Sequence, residues 1–214
     1  MASSFLLEAD KATWPDTVQG TRQLYDNWAK TYDPELKQHG YNGPTATVKA
    51  LVKWVPDKTA RVMDIACGTG LIGEELLKEG YSSIDGLDMS AESIKICKEK
   101  NIYGRLVCSE VTTNRLDIDN DTYDATVCVG CFVPHHMNEE CFPELARITK
   151  PGGFLVITMK QAYFDTSEDY NYGGKFEAAI QSMVQQGKWE VVARDHVEGY
   201  FGEHNGVTLV FKIM

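Results

Sequence analysis

Asp64, Gly68, Gly70 and Gly73 are spaced so that an acid and three glycines fall where a buried apolar run meets a helix, in Val62-Met63-Asp64-Ile65-Ala66-Cys67-Gly68-Thr69-Gly70 and the residues just after it. Glycine accepts positive φ and lets a ligand come close to the backbone. The helix behind it offers free N–H groups and the positive end of its dipole. G-x-G-x-x-G alone suits several adenosine-containing ligands, dinucleotides among them. Asp64 separates these readings. A pyrophosphate gains nothing from a buried negative charge at the strand end, whereas a ligand carrying an ammonium and a sulfonium gains opposite-charge attraction in a low dielectric. Leu87-Asp88-Met89 then places a second acid at the end of the next strand, where a carboxylate accepts from both hydroxyls of a ribose. That feature is common to both ligand types.

These residues need a sheet with helices on both faces, and the sequence supplies the pattern. Helices are predicted over 16–31 and over 44–55, the latter with Pro44 in its first turn. A buried strand over 61–66 leads into a helix over 70–79, stopped by Gly80. A strand over 83–87 follows, then a helix capped by Ser90 and reaching Lys100. Strands are predicted over 104–108 and 123–129, and a helix over 139–149 carrying Pro143. Pro151-Gly152-Gly153 turns the chain into a strand over 154–159; a helix over 174–186 is closed by Gly187. The last strands, 189–197 and 208–213, are joined closely enough for an antiparallel hairpin. Alternating strands and helices imply an α/β, Rossmann-like three-layer sandwich on a mostly parallel sheet, in a single domain over 1–214 with 1–13 as a loose tail.

Composition narrows the partners. Lys and Arg total 21 against 31 Asp and Glu, a net charge of −10, which repels phosphate backbones. Lys95, Lys98 and Lys100 form the dense basic stretch, and their spacing puts them on a solvated helix face, so nucleic acid is not expected as a partner. No run of about 18 uncharged apolar residues exists, which argues against a membrane span. The apolar patch Phe5-Leu6-Leu7 is followed at once by acids, unlike a secretory signal. The six cysteines therefore read as reduced thiols in a cytoplasmic protein. Cys128-Val129-Gly130-Cys131 spells C-x-x-C and lies near His135 and His136. A redox pair would open a helix, and a zinc site would want further ligands at spacing. A buried strand end with Cys as a small hydrophobe fits the pattern better, and no metal is expected.

In this order and spacing, D-x-x-x-G-x-G after a strand, the acid after the next strand, and Lys150-Pro151-Gly152-Gly153 before a later one resemble the class I methyltransferases that use S-adenosylmethionine (SAM). The resemblance spans about residues 20 to 214. Tyr25-Asp26-x-Trp28-Ala29-x-x-Tyr32-Asp33 further resembles the N-terminal helix of the Williams–Beuren-region methyltransferase-like proteins. The resemblance implies a seven-stranded sheet ending in an antiparallel hairpin, with SAM as cofactor and S-adenosylhomocysteine as product. It implies that Ala66, Cys67, Gly68 and Gly70 line the methionine portion, with Asp64 near its amino end. Asp88 would hold the ribose and Met89 pack on the adenine. Glu110, one methylene longer than the family's usual Asp, would face the adenine amine between Ser109 and Val111. Gly130 and Cys131 would face the methionine side. Tyr25, Trp28 and Tyr32 would belong to a lid made by the helices of 14–58; the seven-residue spacing of Tyr25 and Tyr32 equally suits core packing.

Methyl transfer needs in-line alignment and exclusion of water, because the sulfonium is already activated. A base is needed only where the nucleophile holds its proton tightly. His135 and His136 follow the fourth strand, at the edge of the sheet where a substrate would sit, and adjacent residues on an extended segment cannot both point inward; His135 is the candidate base. His204, in the terminal hairpin, is a more remote one. Tyr163, Phe164, Tyr170 and Tyr172 could wall an acceptor pocket or stack on the surface. With little chain outside the core, the acceptor is read as a small or medium-sized molecule, or a protein side chain, offering O, N or S. The competing readings are a noncatalytic SAM-binding module and an NAD-dependent oxidoreductase; Asp64 and the Pro-Gly-Gly turn argue against the second.

Overall fold

The computed structural model describes residues 15–133, 136–164 and 173–214. Seven strands form one sheet in the order β3-β2-β1-β4-β5-β7-β6. They are β1 (Arg61–Ile65), β2 (Ser83–Asp88), β3 (Leu106–Cys108), β4 (Tyr123–Val129), β5 (Thr149–Lys160), β6 (Trp189–Phe201) and β7 (His204–Ile213). β3, β2, β1, β4 and β5 run parallel, and β7 pairs antiparallel with both β5 and β6. The strand order reverses between β1 and β4, the switch point where open α/β sheets leave a crevice at the carboxyl ends of their strands.

The helices are α1 (Val18–Gln38), α2 (Gly43–Trp54), α3 (Leu71–Lys78), α4 (Ala91–Lys100), α5 (Phe142–Ile148), α6 (Gln161–Phe164) and α7 (Gly173–Gln185). Period-two alternation divides the strand residues between two cores. Met63, Ile65, Leu155, Ile157, Leu209 and Phe211 face α5 and α7, meeting Phe142, Leu145, Phe176 and Trp189. Val62, Val127, Val156 and Val210 face the other way and meet Val48 and Leu51 of α2 and Ile72 and Leu76 of α3. A third cluster joins Trp28 and Leu36 of α1 to Val197, Tyr200 and Phe201 of β6. The expected α/β sandwich with its antiparallel C-terminal hairpin is the observed fold.

Several boundaries differ from the sequence reading. α1 runs through Pro34 to Gln38 instead of stopping near residue 31. Pro34 forfeits one helical hydrogen bond, but burial of Trp28 and Leu36 and a 2.8 Å bond from Trp28 Nε1 to Glu35 Oε2 hold the turns on either side. The helix expected over 139–149 opens as a 3₁₀ turn, Glu139–Cys141, before α5. β3 is shorter than expected. β5 begins at Thr149, ahead of Pro151-Gly152-Gly153, with a register shift between Tyr123 and Ala125 of β4 absorbing the turn. β6 and β7 extend into the segment read as their connecting loop; a register shift between Val197 and Phe201 accommodates Gly199. The expected tail 1–13, His135, Tyr170 and Tyr172 lie outside the described residues.

Candidate functional site

The chain leaves β1 through Ala66, whose φ of +53° is left-handed without a glycine's freedom, a strain of roughly 1–2 kcal/mol. Cys67 still donates its N–H to the Leu87 carbonyl at 2.9 Å, extending the pairing of β1 with β2. The loop then passes Gly68 and Gly70, at φ +54° and +98°, into α3. The two glycines serve different ends. A Cβ on Gly68 would meet nothing within 4 Å, so this residue faces open space. A Cβ on Gly70 would stand 3.2 Å from the Tyr103 ring, so this one makes room for a protein side chain.

Asp88, at the end of β2, organises the loop. One carboxylate oxygen accepts the Gly68 N–H at 2.8 Å, and the other accepts the Ser90 N–H at 2.8 Å. Ser90 in turn caps α4 by accepting from Ser93 N–H at 3.1 Å, as its sequence position foretold. Burial raises the Asp88 pKa above the ordinary carboxylate value, with the Ser90 and Gly68 bonds opposing it.

Around these residues lies a cleft of about 840 Å³, counting its solvent-open part. Its floor is Ala66, Gly68, Asp88 and Met89. Ser109, Glu110 and Val111 follow β3 along one wall; Gly130 and Cys131 follow β4 along another. Tyr25 and Tyr32 come down from α1. Asp88 and Glu110 are the charged side chains lining it among the described residues, and both are acids.

Three residues read as contacts lie behind this lining. Asp64 is fully buried under the loop, where its Oδ2 accepts from the Tyr103 hydroxyl at 2.7 Å. Its Oδ1 has no hydrogen-bond partner. Burial pushes its pKa up to about 8, the Tyr103 bond acting against this and the nearby Asp88 charge adding to it. Cys67 turns toward Cys97, whose thiol donates to the Gly68 carbonyl at 3.2 Å. Gly70 faces Tyr103.

Other lining residues were not read from the sequence. Val18 and Thr21 join Tyr25 and Tyr32 on one face of α1, and their spacings of three, four and seven were a helical stripe open to notice. Thr69, Ser93, Thr112 and Met137 come from loops and helix starts with no periodic signal, while His136, one of the two histidines read at this edge of the sheet, lines the cleft as well. His136 Nε2 lies 3.0 Å from the Tyr25 hydroxyl. Burial raises the Tyr25 phenol well above its ordinary pKa, with Tyr32 and Asp88 adding, so it stays neutral.

α1 is tied across the cleft at several points. The Ser90 hydroxyl donates to Asp26 at 2.6 Å. Asp33 accepts from the Thr69 hydroxyl and pairs with Lys100 at 2.7 Å, and Lys100 also holds Glu74 of α3 at 2.6 Å. Arg22 meets Glu110 at 3.7 Å, half exposed and so of small energetic weight. Among the described residues, no group of His, Cys, Asp and Glu side chains is arranged to hold a metal ion, and no helix is long and apolar enough to cross a membrane. All six cysteines are free thiols, Cys128 and Cys131 included.

The model of a methyltransferase domain matches residues 62–153. In the crystal structure of a TehB-like SAM-dependent methyltransferase from Corynebacterium glutamicum the same fold recurs with a TM-score of 0.62 and 20% identity, over 90% of this chain and 99% of that one. The mitochondrial ubiquinone biosynthesis O-methyltransferase of Rattus norvegicus is 32% identical over 162 residues, 70% of this chain but 44% of that enzyme. Human methyltransferase-like protein 27 is 30% identical over 178 residues, 82% of this chain and 70% of the relative. Likeness over that much of both sequences is likeness of family, and the chain belongs to the methyltransferase family of that relative.

Proposed function

We propose that the cleft binds SAM and that the protein transfers the methyl group to an O, N or S nucleophile of a small or medium-sized acceptor or of a partner's side chain. The observation that carries this reading is Asp88, whose two oxygens are fixed by Gly68 and Ser90 at the cleft floor with lone pairs to spare for a ribose diol. Two others support it. The lining charge is acidic, which favours a ligand with an ammonium and a sulfonium. Open space over Gly68 admits the ligand against the backbone.

When bound, SAM supplies an already activated methyl donor, so the chain's task is placement. Asp88 holds the ribose, Met89 and Val111 flank the adenine, and Glu110 and Ser109 face its polar edge. Gly68, Gly130 and Cys131 border the methionine portion and the methyl group. α1 and α2, within residues 14–58, act as the lid that excludes water, with Tyr25 and Tyr32 as its inner surface. Of the two adjacent histidines, His135 lies outside the described residues and His136 lines the cleft. We assign His136 the base role for acceptors that must lose a proton, with the neutral Tyr25 phenol fixing the ring.

Calorimetric titration with SAM, S-adenosylhomocysteine and NAD tests the cofactor. Binding of both adenosyl ligands without NAD is the expected result; binding of NAD alone would overturn the reading. Once an acceptor is found, His136→Ala should slow turnover without weakening S-adenosylhomocysteine, and an undiminished rate would remove the base assignment.

A further inference from the structure

The glycine motif makes room for an aromatic ring as well as for a ligand. Tyr103 follows α4, and its ring lies against Gly70, Gly73 and Gly86. A Cβ on Gly73 would stand 2.5 Å from the Tyr103 Oη, and a Cβ on Gly86 would stand 2.9 Å from Cδ1. Neither glycine has positive φ, so close packing accounts for the missing side chains at these two positions. The socket aims the phenol at Asp64, the acid beneath the loop. One oxygen of Asp64 is taken by Tyr103, and the other is buried without a partner. An unsatisfied carboxylate oxygen in a fully buried site is costly, on the order of 1–3 kcal/mol, and it stands two residues behind Ala66 on the cleft floor.

We propose that Tyr103 is a positioning residue for the cofactor: seated in the socket of Gly70, Gly73 and Gly86, it holds the Asp64 carboxylate beneath the glycine loop so that its negative charge serves the cationic methionine end of the bound ligand. This rests on the SAM reading above. The remaining titratable groups around Asp64 are Asp88 from β2, Cys67 from the glycine loop, Cys97 of α4 beside Tyr103, and Cys128 from β4. None is a cation, so Tyr103 is the neighbour that favours the charged form of Asp64.

Tyr103→Phe keeps the ring in its socket and removes the hydroxyl. The measurement is the affinity for S-adenosylhomocysteine, whose methionine end carries the same ammonium, from pH 6 to 9.5. In the unaltered protein affinity should rise as Asp64 ionises, near pH 8. Tyr103→Phe should bind about tenfold more weakly at pH 7 and show this rise displaced to higher pH. The ligand's own ammonium titrates alike in both proteins, so the displacement reports Asp64. In an Asp64→Asn background, Tyr103→Phe should add little further loss, because the two residues act as one unit. Affinity lowered equally at every pH, with the rise in place, would mean that Tyr103 only packs, and an unchanged profile would equally overturn the proposal; in both cases SAM binding stands. Failure of the unaltered protein to bind S-adenosylhomocysteine would overturn the cofactor reading itself, and this inference with it.

Discussion

Asp26 of α1 accepts a 2.6 Å hydrogen bond from the hydroxyl of Ser90, the residue that caps α4. A single serine therefore ends the strand–loop side of the site and anchors the helix that covers it. Asp26→Ala removes this tie while leaving Ser90 to cap Ser93. S-adenosylhomocysteine should dissociate about tenfold faster, with a stability loss of only about 1 kcal/mol. Stopped-flow displacement measures the rate, and an unchanged value would mean that the Asp33 ties and the apolar contacts hold α1 without Asp26.

Asp88 holds the glycine loop, and the proposed function gives it the ribose as well. Asp88→Ala leaves the N–H groups of Gly68 and Ser90 without their partner, so stability should fall by about 1–3 kcal/mol alongside a loss of at least about tenfold in S-adenosylhomocysteine affinity. Asp88→Asn retains one acceptor oxygen and should fall between the two proteins in both measurements. Equal ligand affinity for all three would show that the ribose is held elsewhere.

Asp64 makes the stability of the free protein depend on pH. Its pKa is about 8 when folded against 3.8 for the ordinary group. The folded state thus holds a proton that the unfolded state has released, and stability falls as pH rises from about 4 to about 8. Denaturant unfolding without ligand should show this decline, on the order of a few kcal/mol. Asp64→Asn should flatten it. The same slope in both proteins would assign the decline to other groups, Asp88 first among them.

Gly73→Ala adds one methyl group against the Tyr103 hydroxyl. Overpacking of this kind costs about 1–3 kcal/mol, seen as a lowered denaturant midpoint. Gly174 of α7 has open space around its Cα and serves as the control: Gly174→Ala should be neutral or gain up to about 1 kcal/mol. If Gly73→Ala were as benign as the control, Tyr103 would be loosely seated.

What the sequence made legible was the part whose signal is local. Ser90 announced itself as a cap because an N-cap is defined within four residues, and Asp88 because it closes an apolar run. α1 was drawn only to residue 31; its continuation through Pro34 depends on Leu36 reaching β6, which is remote in sequence. The hairpin was read correctly, but its connection was drawn too long, from about Gly199 to Gly206, because a bulge carries β6 past Gly199 to Phe201. Gly70 was read as a ligand contact because the motif assigns it one. The ring that occupies its space comes from Tyr103, thirty-odd residues later, and no periodicity links the two. Asp64 was correctly placed at the strand end, but its retreat behind the lining depends on that same ring.

The cluster of Trp28 and Leu36 with Val197, Tyr200 and Phe201 has a consequence for the order of assembly. α1 is made before any strand of the sheet, yet the surface that its apolar face needs is supplied by the sixth strand. Closing so long a stretch of chain is slow. During synthesis α1 can take its polar ties to Thr69, Ser90 and Lys100 as soon as these are made, whereas its apolar face is covered only when β6 arrives.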